Sequence, residues 1–167
     1  MIGRTKKNLV KCFLPLLLFM QLGVYGQANK FARAANLYSC LKEYKIECPK
    51  TCLAIAIYET GWMGCHNCSG QFNNLFGFRN THTYIKFKNV YECLEYLKKW
   101  QIDFYDPWKR KHPNETYYEF LVHIKYTGSN MTNYLANIKS IERLLAKETR
   151  AIDKAELPAP ANKTKAK

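Results

Sequence analysis

The chain has 167 residues, with 26 Lys and Arg against 13 Asp and Glu, a formal charge of +13 and 47% hydrophobic residues. That length makes one domain the expectation, and twelve Tyr, nine Phe and three Trp carry too much apolar surface for a disordered chain. Repeated membrane spanning is excluded too, because beyond the N-terminus no apolar run nears the roughly 18 residues that a span needs.

The N-terminus has the layout of a secretory signal. Arg4, Lys6, Lys7 and Lys11 come first, an apolar run from Cys12 to Met20 follows, and the small residues Gly23 and Gly26 end it. Pro15 and Gln21 break the run, which is short for an anchor. Residues 1–26 are therefore expected to be a signal peptide, and removing four cations and no acid leaves a charge of +9. The protein is expected to be exported, periplasmic or secreted, without stable membrane insertion. Cys12 opens the apolar run instead of standing at the cleavage point, which disfavours a lipid anchor.

Six cysteines remain after cleavage: Cys40, Cys48, Cys52, Cys65, Cys68 and Cys93. An even set in an oxidising compartment suggests up to three disulfides, with the connectivity open. The rival is zinc, since Cys48-x3-Cys52 and Cys65-x2-Cys68 with His66 have something like ribbon spacing. Disulfides are favoured because exported thiols oxidise and no second motif supports a metal. His66, His82, His112 and His123 show no paired ligand spacing, so no metal and no other cofactor is expected.

Along the chain, Phe31, Ala34, Ala35, Tyr38 and Leu41 space a first amphipathic helix. Pro49 suits a first helical turn, which predicts a second helix from Lys50 to about Trp62, apolar nearly all round at Leu53-Ala54-Ile55-Ala56-Ile57. Cys65 to Asn74 reads as a polar loop, and Thr83 to Lys88 alternates as a short strand. Asn89 caps a third helix carrying Val90, Cys93, Leu94, Leu97, Trp100 and Phe104, with Pro107 ending it. A fourth runs from Asn114 to a stop at Gly128, and a fifth from Ser129 or Asn130 through Tyr134, Leu135, Ile138, Ile141, Leu144 and Leu145. The domain thus spans 27–149, and 150–167 reads as a disordered basic tail.

Glu59 is the anomaly, an ionisable group at the end of the most apolar helix and one turn before Trp62. In a cleft, partial desolvation against Trp62 would raise its pKa and let it deliver a proton. That is what a glycosidic general acid does, since a sugar oxygen leaves poorly without a proton. The plainer alternatives are a solvent-facing position or a pairing with one of the many lysines.

The segment Ala56-Ile57-Tyr58-Glu59-Thr60-Gly61-Trp62, followed by Asn73-Asn74-Leu75-Phe76-Gly77-Phe78, resembles the glucosaminidase family of peptidoglycan hydrolases. Tyr84-Ile85-Lys86-Phe87 with Val90 to Tyr96, and later Asn133-Tyr134-Leu135, continue the likeness in order across roughly residues 30–147. The resemblance implies an α+β, mainly α-helical, lysozyme-like single domain with a groove for alternating N-acetylglucosamine and N-acetylmuramic acid. It implies that Glu59 is the general acid, that Tyr134 lies across the cleft near the scissile bond, and that Trp62, Asn74, Phe76 and Tyr84 bind substrate. Asn offers both donors and acceptors to an acetamido group, and aromatic faces suit sugar rings. Core packing for Phe76 or Phe78, and turn stabilisation for Asn74, are the bland readings.

One departure stands out. Family members carry a second carboxylate in a small β-lobe, yet 79–90 contains no Asp or Glu, so the lobe is expected to be reduced. Glu92 and Glu95 fall in the following helix motif and are expected on its surface. A two-carboxylate mechanism needs a partner about 5 to 10 Å from Glu59. With one acid, the substrate's acetamido oxygen or the muramic 6-hydroxyl would attack the anomeric carbon, the latter giving the anhydro ends of a lytic transglycosylase. The expectation is an exported, monomeric endo-β-N-acetylglucosaminidase-like enzyme whose partner is the glycan strand of peptidoglycan. A muramidase, a non-catalytic wall-binding module and a membrane-active cationic toxin are the rivals. Nucleic acid, the generic partner of a basic protein, is disfavoured by export.

Overall fold

The computed structural model describes residues 29–127 and 130–155; the expected signal peptide, the stop at Gly128, Ser129 and the tail from 156 lie outside them. The described chain is mainly helical, and none of its helices is long and apolar enough to cross a membrane. Helix α1 covers 29–43 and buries Ala34, Leu37, Tyr38 and Leu41, the stripe of an amphipathic helix. Helix α2, Pro49–Thr60, starts where the missing N–H of proline costs nothing and ends two residues earlier than expected. Gly61 stops it by entering the left-handed region at φ 52°, its N–H bonded to Ile57 O. Residues 51 to 57 are all buried. This makes α2 the buried rod of the domain, packed against α6.

Cys65 and Cys68, in the loop after α2, form a disulfide with Cα atoms 5.8 Å apart. Cys40, Cys48, Cys52 and Cys93 are free thiols, so one of the up to three expected disulfides is formed and these four candidates are corrected. Their surroundings explain it. Cys52 Sγ faces Glu47 O at 3.4 Å and Tyr117 Oη at 3.9 Å, whereas Cys93 lies beside the backbone of Leu75 and Phe76. Cys48 and Cys52 sit in the first turn of α2 and the disulfide follows its end, so about 12 Å or more of helix separates the two pairs.

After a short 3-10 helix, Ser69–Phe72, the chain continues in turns and irregular backbone, with Asn73 and Gly77 in the left-handed region. The expected strand at Thr83 to Lys88 is not formed; its one sheet-like contact is an isolated bridge between Arg79 and Tyr84. The reason is that side chains take the place of a partner strand. Asn74 Nδ2 donates to Phe78 O and Ile85 O, at 2.7 and 2.9 Å, and Asn73 Nδ2 donates to Phe87 O at 3.0 Å. The remaining ladder groups pair across the loop, Ile85 N to Phe78 O and Phe87 N to Phe72 O.

Helix α3, Val90–Trp100, begins as expected, with Asn89 Oδ1 accepting the Glu92 N–H at 2.9 Å. Pro107 does not end the helical run. A π turn, Gln101–Tyr105, widens the coil so that Asp106 N–H bonds five residues back to Gln101 O, and α4, Asp106–Lys111, accommodates the proline in its first turn. The extra residue also shifts the buried register. Gln101 and Tyr105 go inside, and Phe104, expected in the core, is 56% exposed.

Helix α5, Tyr117–His123, starts three residues later than expected because Thr116 and Glu119 form a reciprocal capping box that Asn114 cannot offer. Helix α6, Met131–Ala155, buries Tyr134, Ile138, Leu145 and Thr149, leaving Leu144 exposed off that stripe. It also runs beyond residue 150, into the segment expected to be a disordered tail. Asp153 accounts for this: its carboxylate takes Tyr38 Oη, Lys42 Nζ and Lys50 Nζ at 2.9, 3.0 and 2.8 Å, tying the helix end to α1 and α2. The two ammonium groups hold its pKa down to about 2.

Candidate active site

A cavity of about 880 Å³ lies where the last turn of α2, the segment from Phe76 to Tyr84, the α3 end with its π turn, the α5 to α6 connection and the first turn of α6 meet. Glu59 enters it from α2 and Tyr134 from α6. The two residues are 75 positions apart in the chain and share one wall because α2 and α6 pack against each other.

Burial pushes the Glu59 carboxyl above the ordinary carboxylate range; the Tyr134 phenol and the Arg79 guanidinium pull it back by less. Trp62 is not what dries it. Gly61 turns the chain, Trp62 takes φ 63°, and its ring packs edge-on to Phe31 at 5.6 Å, away from the cavity lining. Trp62, expected to contact substrate, is thus placed against α1 and outside the lining of this cavity. The close neighbour is the backbone of Gly77, where an added Cβ would stand 2.9 Å from Glu59 Oε2. Gly77 has φ 66°, a conformation that glycine adopts without strain.

Tyr134 is 4% exposed, with its ring edge-on to Tyr58 at 5.1 Å and 6.0 Å from Tyr126. Burial and the neighbouring Glu59 raise its pKa far above the usual phenol value, so it stays a neutral donor. It approaches Glu59 closely enough to favour the anion, yet its buried Oη completes no hydrogen bond of ordinary geometry, so the contact is loose.

Asn74 does not face the cavity. It is fully buried, gives both amide hydrogens to Phe78 O and Ile85 O, and accepts Phe78 N–H at 2.9 Å, so it is a clamp that holds the Gly77 segment under Glu59. Phe76 and Tyr84 do line the cavity, Phe76 as a 3% exposed floor with Phe78 tilted against it. Three lining groups were not legible from spacing. Tyr58 and Phe104 are large aromatic surfaces, 42% and 56% exposed, and the hydroxyl of Tyr126 donates to Phe76 O at 2.6 Å. Tyr58 is adjacent to Glu59, the one available signal; Phe104 arrives only through the π turn.

Glu59 is the only carboxylate in the cavity lining among the described residues, and Arg79 and Lys125 are its cations. Glu92 is engaged in the α3 cap, accepting Lys88 N–H, and Glu95 is exposed. The arrangement can protonate a bound oxygen, stack apolar ring faces and hold a neutral phenol near the acid. Among the described residues of the lining it offers no second carboxylate. Compared with protein-family models, curated proteins and solved structures, the chain matches none.

Proposed function

We propose that the protein is a peptidoglycan glycosidase on a lysozyme-like fold, with Glu59 as general acid at a β-1,4 bond between N-acetylglucosamine and N-acetylmuramic acid. The observation that carries this reading is the half-dry Glu59 carboxyl, with its raised pKa, in an aromatic-walled cavity shared with Tyr134. A protonated carboxyl gives its hydrogen to the departing sugar oxygen, and aromatic faces hold the rings. The glucosaminidase-like segments supply the residues on both sides of that cavity. The signal-like N-terminus and excess positive charge suit an exported protein drawn to an anionic wall polymer.

The lone carboxylate favours a route in which the substrate supplies its own nucleophile. The acetamido oxygen or the muramic 6-hydroxyl attacks the anomeric carbon as the bridging oxygen leaves with the Glu59 proton. Glu59, now anionic, then accepts a proton from water or from the attacking hydroxyl, and the Tyr134 dipole stabilises the charge. Digestion of purified cell walls by the wild type and Glu59→Gln, with products read by mass spectrometry, tests the proposal. New reducing ends indicate hydrolysis, anhydro ends indicate internal attack, and loss of both in the variant assigns the acid. A wild type that sediments with walls yet releases nothing is a binding module.

A further inference from the structure

We propose that Arg79 is a specificity residue that reads a carboxylate pendant from the glycan, so that the preferred substrate is an acidic rather than a neutral sugar strand. This rests on the glycosidase reading of the cavity. The lining carries two cations, Arg79 and Lys125, and one acid, an imbalance that favours a negatively charged ligand.

Arg79 is placed as a reader would be. Its guanidinium carbon lies 4.1 Å from the centre of the Tyr84 ring, a cation–π contact on an exposed side chain of the cavity lining. Among the described residues it forms no ion pair and donates no hydrogen bond, and Glu59 feels its charge without pairing to it. A planar fork with unused parallel N–H groups matches the two oxygens of a carboxylate. The backbone beneath it is also built. Asn74 clamps Phe78 and Ile85 on either side of the turn, and Asn80 Oδ1 takes the Thr83 N–H and hydroxyl at 3.2 and 2.8 Å. Arg79 stands beside that network without pairing into it, an exposed cation in the cavity lining.

The carboxylate that fits is carried by a polymer whose rings occupy the aromatic wall, either the acid substituent on the sugar or an acid of a peptide attached to it. Soluble tetrasaccharide fragments of peptidoglycan provide both, with stem peptides or stripped of them, each as free acid and as methyl ester. Titration calorimetry on Glu59→Gln, which holds substrate without turnover, reads affinity for each form. We expect esterification to weaken binding about tenfold, Arg79→Gln to lose about tenfold on the acid and nothing on the ester, and Arg79→Lys to fall between. Ester sensitivity in the stripped fragment assigns the acid to the sugar, and sensitivity confined to the peptide-bearing fragment assigns it to the stem.

Equal affinity for acid and ester, or the same loss on both when Arg79 is replaced, overturns the proposal. Circular dichroism checks that Arg79→Gln is folded, and Arg79→Lys keeps the test alive if it is not. Wall digestion by the wild type separates the two readings. Digestion without ester sensitivity removes only the role of Arg79, whereas ester-sensitive binding without digestion removes catalysis and keeps the reader. A cavity that binds none of the four forms overturns both.

Discussion

The side chain of Glu59 rests on Gly77 so closely that a methyl group at residue 77 would lie 2.9 Å from Oε2 and 3.4 Å from the carboxyl carbon. The acid is thereby aimed by backbone, from a segment 18 residues further along the chain. Gly77→Ala has two costs, a left-handed alanine at φ 66° worth about 1–2 kcal/mol and a clash with the acid. In a Glu59→Ala background only the first remains. A double-mutant cycle by urea unfolding should therefore show Gly77→Ala to be less destabilising when Glu59 is absent. Equal costs in the two backgrounds would mean that the contact does not constrain the acid.

Because burial raises the Glu59 pKa, the native state holds a proton there that the unfolded chain has released. The protein consequently loses stability as pH rises from the ordinary carboxylate value through the native one, and then no more from this group. Glu59→Gln has no such term, so its stability relative to the wild type should rise across that window and level off above it. The alkaline limb of wall digestion should follow the same ionisation. Arg79 and Tyr134 both favour the anion, so Arg79→Gln and Tyr134→Phe should each move that limb to higher pH. A limb that moves to lower pH in either variant would contradict the electrostatics described above.

Asn74 separates a structural from a substrate-binding role. Asn74→Ala leaves Phe78 N–H and Ile85 O without their side-chain partner in a buried site, Phe78 O keeping the Ile85 N–H, which should cost about 2–4 kcal/mol of unfolding free energy. A melting temperature near that of the wild type, combined with a raised KM on soluble fragments, would return Asn74 to the groove.

The cysteines predict a labelling pattern. Denatured without reductant, the chain should present two fewer thiols than after reduction, the pair being Cys65 and Cys68. In the native protein Cys52 and Cys93 should resist maleimide, since burial pushes the Cys93 thiol up to about 12 and that of Cys52 further. Replacing both Cys65 and Cys68 by Ser should cost about 2 kcal/mol, as expected for closing so short a loop. Peptide mapping that finds Cys40 or Cys48 in a disulfide would overturn this pairing.

Much of the fold was legible because it is local. Pro49 and Asn89 mark helix starts through their own backbone chemistry, and the apolar stripes of α1, α3 and α6 follow from the 3.6-residue period of hydrogen-bonded neighbours. Glu59 could be singled out for the same reason, as a charge on a rod apolar nearly all round. The strand was misread because alternation shows which faces differ and says nothing about a partner. Here Asn73 and Asn74 take the backbone groups that a second strand would have taken.

What the amino-acid order determined alone is therefore a mainly helical chain with one improbable carboxyl in its most apolar segment. Only tertiary structure decided that Gly77 aims that carboxyl, that Tyr134 and Arg79 share its cavity, that Trp62 turns away from it, and that a π turn brings Phe104 to the rim. Periodicity acts over a turn or two of helix, so residues reveal it to their neighbours. A cavity wall is assembled by helices packing across tens of residues of chain, and that distance leaves no trace in local spacing.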